Sequence, residues 1–117
     1  MNAFVFLVQQ MMLFSIPLLI VALAAMFSER SGIVNVGLEG IMVIGAFAGT
    51  LFLHFAGSKE GFNPVFGLTI AILLSIVAGI IYSAFHAFAS VNMFADQVIS
   101  GTALNMFATA FAIFIAR

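Results

Sequence analysis

Carboxylates and amides recur together at two places in this sequence. Ser28–Gly40 carries Glu29, Arg30, Asn35 and Glu39 among Gly32, Gly37 and Gly40. Ser90–Thr102 carries Asp96 and Gln97 ahead of Gly101, with Asn105 just beyond. Both stretches mix these polar residues with apolar ones, such as Ile33, Val34, Val36 and Leu38 in the first. A side-chain amide donates and accepts at once, which suits hydroxylated or heterocyclic solutes. Glycine lets backbone polar groups come close to a bound molecule. Local readings compete with solute binding: Glu29 and Arg30 as an interfacial ion pair, and Asp96 as the N-cap of a following helix.

The elements that hold these residues follow from composition. The chain is 65% hydrophobic and 6% charged over 117 residues, with mean hydropathy +1.32. Soluble domains are about 45–50% apolar and about 25% charged. Seven charged side chains cannot cover a water-facing surface, so the chain is an all-α integral membrane protein. A spanning helix takes about 20 apolar residues, and four apolar runs fit this length. In such a medium an ionised carboxylate costs at least a few kcal/mol and faces a partner or water. The two polar stretches therefore read as broken or re-entrant backbone at or within the membrane.

The first run is 4–27, with Pro17 inside it. It lacks the basic flank of a signal peptide and is too long for one, despite Ala22-Leu23-Ala24, so a retained helix is expected. The second run, 41–56, is short unless it draws on Val36–Gly40, and Gly45 and Gly49 offer a close-packing face. Residues 57–64 read as a hydrated loop with Lys59 and Glu60 at its tip. Asn63 would cap the next helix and Pro64 would fit its first turn. In the third run, 65–90, Ala71, Ser75, Gly79, Ser83 and Ala87 repeat every four residues as a second packing stripe. His86, beside Tyr82, reads as a hydrogen-bonded interface residue. The fourth run, 103–116, is short; it either starts near Asp96 or continues past Arg117. The sequence stops within apolar residues, as a fragment would.

Several classes are excluded. With three basic residues there is no patch for nucleic acid. There is no cysteine, and two distant histidines make no metal site. No catalytic motif and no nucleotide-binding loop is present, so no enzyme activity and no cofactor is expected. Nothing resembles a selectivity filter.

At these residues the chain resembles a known family. Phe27-Ser28-Glu29-Arg30-Ser31-Gly32-Ile33-Val34-Asn35-Val36-Gly37-Leu38-Glu39-Gly40 is similar to a signature of the inner-membrane permease subunits of ABC importers. The branch is that for nucleosides and simple sugars, related to ribose-type and branched-chain amino acid permeases. His86-Ala87 followed by Ala95-Asp96-Gln97-Val98-Ile99-Ser100-Gly101 resembles a second signature at the expected distance. Asn35-Val36-Gly37 stands where sugar permeases of this kind carry an Asp-Leu-Ser type sequence, which favours nucleosides. The resemblance implies that residues 1–117 are a single transmembrane region, the N-terminal part of a larger permease bundle in the cell inner (plasma) membrane. It implies a second permease subunit, two ATPase subunits, an extracytoplasmic solute-binding lipoprotein and a small-molecule substrate. Asn35, Glu39, Asp96 and Gln97 then become substrate-path candidates, with Asn105 beside them for its amide. Gly32, Gly37, Gly40 and Gly101 would shape the backbone breaks. A small oligomeric channel or secondary transporter, and a non-transport membrane scaffold, are the alternatives.

Overall fold

The computed structural model describes residues 2–59, 61 and 63–117. It contains four helices, α1 (Ala3–Arg30), α2 (Leu38–Gly57), α3 (Pro64–Val91) and α4 (Gln97–Ala116), and no strand among the described residues. All four are long and apolar enough to cross a membrane. At about 1.5 Å per residue, the 20-residue helices α2 and α4 just match a hydrocarbon core of about 30 Å. The 28-residue helices α1 and α3 exceed it. The chain divides into two units, Met1–Val34 and Asn35–Arg117.

The first unit is α1. Its residues are apolar on every side, the pattern of a helix whose solvent is not water. It runs through Pro17 without a break. It ends in a Schellman turn: the Gly32 N–H donates to Glu29 O at 3.0 Å and the Ile33 N–H to Ser28 O at 3.4 Å. Gly32 takes φ +87° there, a conformation open to glycine and strained for most other residues. The Ser28 hydroxyl donates to Ile33 O at 2.8 Å and locks the turn.

The irregular backbone is therefore shorter than the polar stretch that announces it. Ser28–Arg30 belongs to α1 and Leu38–Gly40 to α2, which leaves Ser31–Gly37 between them. Nothing in Ser-Glu-Arg opposes a helix until Gly32. Glu39 sits favourably in the first turn of α2, near the positive end of the helix dipole. The same recruitment lengthens α2 to a full span.

The second unit packs α2, α3 and α4 against one another. Helices α2 and α3 run antiparallel with their backbones close. A Cβ on Gly45 would lie 3.2 Å from Ser75 O, and one on Gly49 would lie 3.2 Å from Ala71 O and collide with Ser75 Oγ. The glycine face of α2 and the small-residue stripe of α3 thus meet each other, as membrane helices that approach closely require. Along that stripe the contact reaches Gly79, which lies near Ile41, while Ala87 is exposed. Asn63 caps α3, its Oδ1 accepting from Val65 N at 3.1 Å, with Pro64 in the first turn. Lys59 is exposed; Glu60 lies outside the described residues.

Packing is inverted relative to a soluble domain. The buried residues are glycines, Ala71, Ala108, Tyr82 and His86. Large side chains such as Phe66, Ile80, Phe107 and Phe114 face outward. An apolar surface this extensive would aggregate in water; in lipid it is the matched exterior, and helix contact is left to small and polar groups.

Candidate functional site

One end of the second unit gathers the polar residues. Antiparallel α2–α3 and α3–α4 contacts place the starts of α2 and α4 beside the end of α3. A Cβ on Gly37 would lie 3.5 Å from Gly101 Cα, and one on Gly40 would lie 3.0 Å from Leu104 O and 3.1 Å from Asn105 Cα. Asn35, Glu39, Asp96, Gln97 and Asn105 all fall in this region, with Gly37, Gly40 and Gly101 between them. Gly32 belongs to the first unit, where it closes the end of α1.

The centre of the region is a seam between the segment 35–40 and α4. Gly101 has no room for a side chain: a Cβ would stand 2.8 Å from Gly37 N, 2.9 Å from Val36 Cβ and 3.1 Å from Val36 C. Asn105, one helical turn further along α4, clamps the seam. Its Oδ1 accepts from Gly40 N at 2.7 Å and its Nδ2 donates to Val36 O at 2.9 Å. One side chain thus satisfies a donor and an acceptor that no helix supplies with partners. Asn35 contributes locally, its Oδ1 accepting from Gly37 N at 3.0 Å.

The two carboxylates differ. Asp96 caps α4, its Oδ1 accepting from Val98 N at 2.9 Å and Ile99 N at 3.0 Å. The local reading of Asp96 is thus realised, and it sets the start of α4 at Gln97. Glu39 is exposed in the first turn of α2. Gln97 opens α4 and is half-buried.

On the neighbouring face, α3 meets α4 through polar side chains. The Tyr82 hydroxyl donates to Leu104 O at 2.7 Å, and His86 Nδ1 lies 3.3 Å from Ser100 Oγ. His86 is thus the hydrogen-bonded interface residue its position suggested. Ser100 is not among the residues that sequence singles out, although a signal exists. Tyr82, His86 and Ser90 recur every four residues on α3, and Ser100 and Leu104 do so on α4, so an antiparallel pair brings them together in order.

No group of three or more metal-binding side chains forms among the described residues. A depression of about 530 Å³ between Phe4 and Leu13 lies on one face of α1 alone, far along the sequence from every polar candidate.

The helical architecture agrees with what known proteins add. The chain belongs to the family described as branched-chain amino acid transport system / permease component, whose model matches residues 7–117. It is 43% identical over 115 residues to the nucleoside ABC transporter permease protein NupC of Lactococcus lactis subsp. cremoris (strain MG1363), covering 97% of this chain and 35% of that protein. It is 42% identical over 106 residues to the guanosine ABC transporter permease protein NupQ of Bacillus subtilis (strain 168), covering 91% of this chain and 32% of that protein. The chain thus spans about a third of the length of these curated relatives. No solved structure matches it. With four spanning helices and these relatives, it is a multi-pass protein of the cell inner membrane.

Proposed function

We propose that the full-length protein is the permease subunit of an ABC importer that takes up nucleosides. The observation that carries this reading is the identity of 43% across 97% of the chain to a nucleoside permease. It is seconded by the identity to a guanosine permease. The permease pairs with a second permease subunit. Two ATPase subunits drive alternating access, and an extracytoplasmic lipoprotein delivers the solute. The chain itself makes and breaks no bonds.

Within that role, Asn35, Glu39, Asp96 and Gln97 lie along the solute path at the polar end of the second unit. Amides and carboxylates there can exchange hydrogen bonds with ribose hydroxyls and base edges. Asn105, whose amide holds backbone at both ends, positions the segment beside that path. Glycines 37, 40 and 101 let the backbones meet, and Gly32 ends α1.

The test is uptake. The full-length permease is expressed with its partner subunits in cells lacking their own nucleoside transport and offered labelled guanosine, adenosine, uridine, ribose and leucine. Saturable uptake of nucleosides, dependent on the ATPase subunits, is expected. Uptake of ribose or leucine without nucleosides would overturn the substrate class. Uptake indifferent to the ATPase subunits would overturn the importer.

A further inference from the structure

Helices α2 and α4 keep their polar side chains to one side. Those of α2 are Glu39, Thr50 and His54; beyond its first turn, α4 has Thr102, Asn105 and Thr109. At about 3.6 residues per turn, each trio falls within about 60° of helix surface. Asn105 is half-buried and the other five are exposed. The contacts put both arcs on the same side of the helix pair. On α2, Gly45 and Gly49 face α3 and Gly40 faces α4; the trio borders the Gly40 side and is turned away from α3. On α4, Ser100 and Leu104 face α3, while Gly101 and Asn105 face the entry to α2. The second trio borders that entry and is again turned away from α3. A depression of about 490 Å³ runs along this face of α4, with Asn105 and Thr109 in its lining.

Neither lipid nor a close-packed helix suits such a face. Lipid is met elsewhere by large side chains: Phe107, about half a turn round α4 from the trio, is 59% exposed. Helices in this unit meet through small residues, with Gly45 and Gly49 against Ser75 and Ala71. The α2–α4 face instead carries a carboxylate, an imidazole, an amide and three hydroxyls, and ionisable groups in a span face a partner or water. From Glu39 to His54 it covers about 22 Å along α2, most of a hydrocarbon core of about 30 Å. Its hydroxyls already donate to their own helices: Thr50 to Ala46 O at 2.9 Å, Thr102 to Val98 O at 2.9 Å and Thr109 to Asn105 O at 3.1 Å. Each oxygen is left to accept, which suits a solute rich in O–H and N–H donors, as ribose and bases are.

We propose that the α2–α4 face turned away from α3 lines the solute path through the membrane, with Thr50, Thr102 and Thr109 accepting hydrogen bonds from the passing solute. The proposal rests on the importer reading and carries its path from the polar end of the unit into the depth of the bilayer.

The test is thiol labelling of the full-length permease in its assembled complex. Residues 1–117 contain no cysteine, and any elsewhere in the complex are first replaced by serine. Thr50→Cys, Thr102→Cys and Thr109→Cys are exposed to a charged, membrane-impermeant methanethiosulfonate, with Phe107→Cys and Ile80→Cys as lipid-facing controls. A thiol reacts as its thiolate, so labelling reports contact with water. Labelling at 50, 102 and 109 at least tenfold faster than at 107 and 80 is expected, slowed several-fold by saturating guanosine. Rates no faster than the controls would overturn the proposal, since another helix or lipid would then cover the face. Labelling that the transported solute does not slow would overturn it too. Protection is measured with whichever solute of the uptake panel the complex carries, so an error in the substrate class shows in uptake and leaves this test intact. Kinetics give a second reading. Thr102→Val and Thr109→Val keep the side-chain shape and remove the acceptor, and each should raise the KM of uptake about 3–10-fold at unchanged abundance. Wild-type KM in both variants would count against the proposal.

Discussion

The irregular backbone that leads into α2 and the one that leads into α4 are two breaks built by different means. In the first, the segment entering α2 is knitted to a distant helix. Asn105 holds Val36 O and Gly40 N, and Gly101 lies flat against Gly37. The second, Asn92–Asp96, is held by its own neighbours. Asp96 caps the helix it precedes, the Ala95 N–H donates to Ala89 O at 3.0 Å, and Phe94 turns the corner at φ +51°. A break held from afar moves only with the helix that holds it. A break held locally can move as a piece. Similar polar composition therefore produces one segment fixed to α4 and one carried by α4 as its cap.

The largest expected effect removes the distant clamp. Asn105→Leu leaves Val36 O and Gly40 N without partners at a part-buried seam. Each unmade bond costs about 1–3 kcal/mol, so the full-length permease should lose about 3 kcal/mol of stability, read from denaturant or thermal unfolding in detergent. A loss no larger than that of Asp96→Ala would erase the distinction between the two breaks. Gly101→Ala comes next. Its methyl group would meet the backbone of Val36 and Gly37, which gives way only by separating α4 from the segment, at about 1–3 kcal/mol. The partner position is a built-in control. A Cβ on Gly37 meets nothing nearer than Asn35 Oδ1 at 3.3 Å, so Gly37→Ala should cost clearly less. Equal losses would show that the seam is not asymmetric.

The contrast between the breaks also divides what is legible in the sequence from what is not. The membrane class follows from seven charged side chains in 117 residues. The local devices follow from short patterns: Asn63-Pro64 opening α3, Asp96 ahead of α4, and the glycine and small-residue faces of α2 and α3. Each needs information from only a few residues or a single helical period. The clamp does not. Asn105 is 65 residues from Gly40 and 69 from Val36, and no local pattern pairs them. Its amide reads as a solute ligand because an amide buried among apolar residues needs partners, and sequence alone does not say that backbone supplies them. The limits of the first polar stretch are misplaced for a related reason. Polar residues at Ser28–Arg30 suggest irregular backbone, but a helix stops for lack of hydrogen bonds or for a glycine turn, and Gly32 provides that turn.

A further substitution separates the two roles open to Asp96. Asp96→Ala removes the cap of α4 and should cost about 1 kcal/mol. Asp96→Asn preserves the capping oxygen and should cost little. Nucleoside uptake by the Asn variant, with its abundance in the membrane checked, then isolates the carboxylate. Wild-type uptake would confine Asp96 to the cap. Loss of uptake at unchanged stability would put its charge on the solute path.

The smallest effect has the opposite sign. Phe94 is 90% exposed and adopts a left-handed backbone that disfavours a side chain by roughly 1–2 kcal/mol. It has little packing to lose. Glycine adopts that conformation without strain, but it gives up about 0.5–1 kcal/mol of chain entropy on folding. Phe94→Gly should therefore leave stability unchanged or raise it by less than about 1 kcal/mol, measured on the same unfolding curves. A clear destabilisation would mean that the ring is covered in the assembled transporter, and the second break would then be held from outside as the first is held by Asn105. Unchanged stability with lowered uptake would give a different answer. The corner would then serve transport through the strain or the ring itself, at a position where sequence favours a turn residue and the chain carries a phenylalanine.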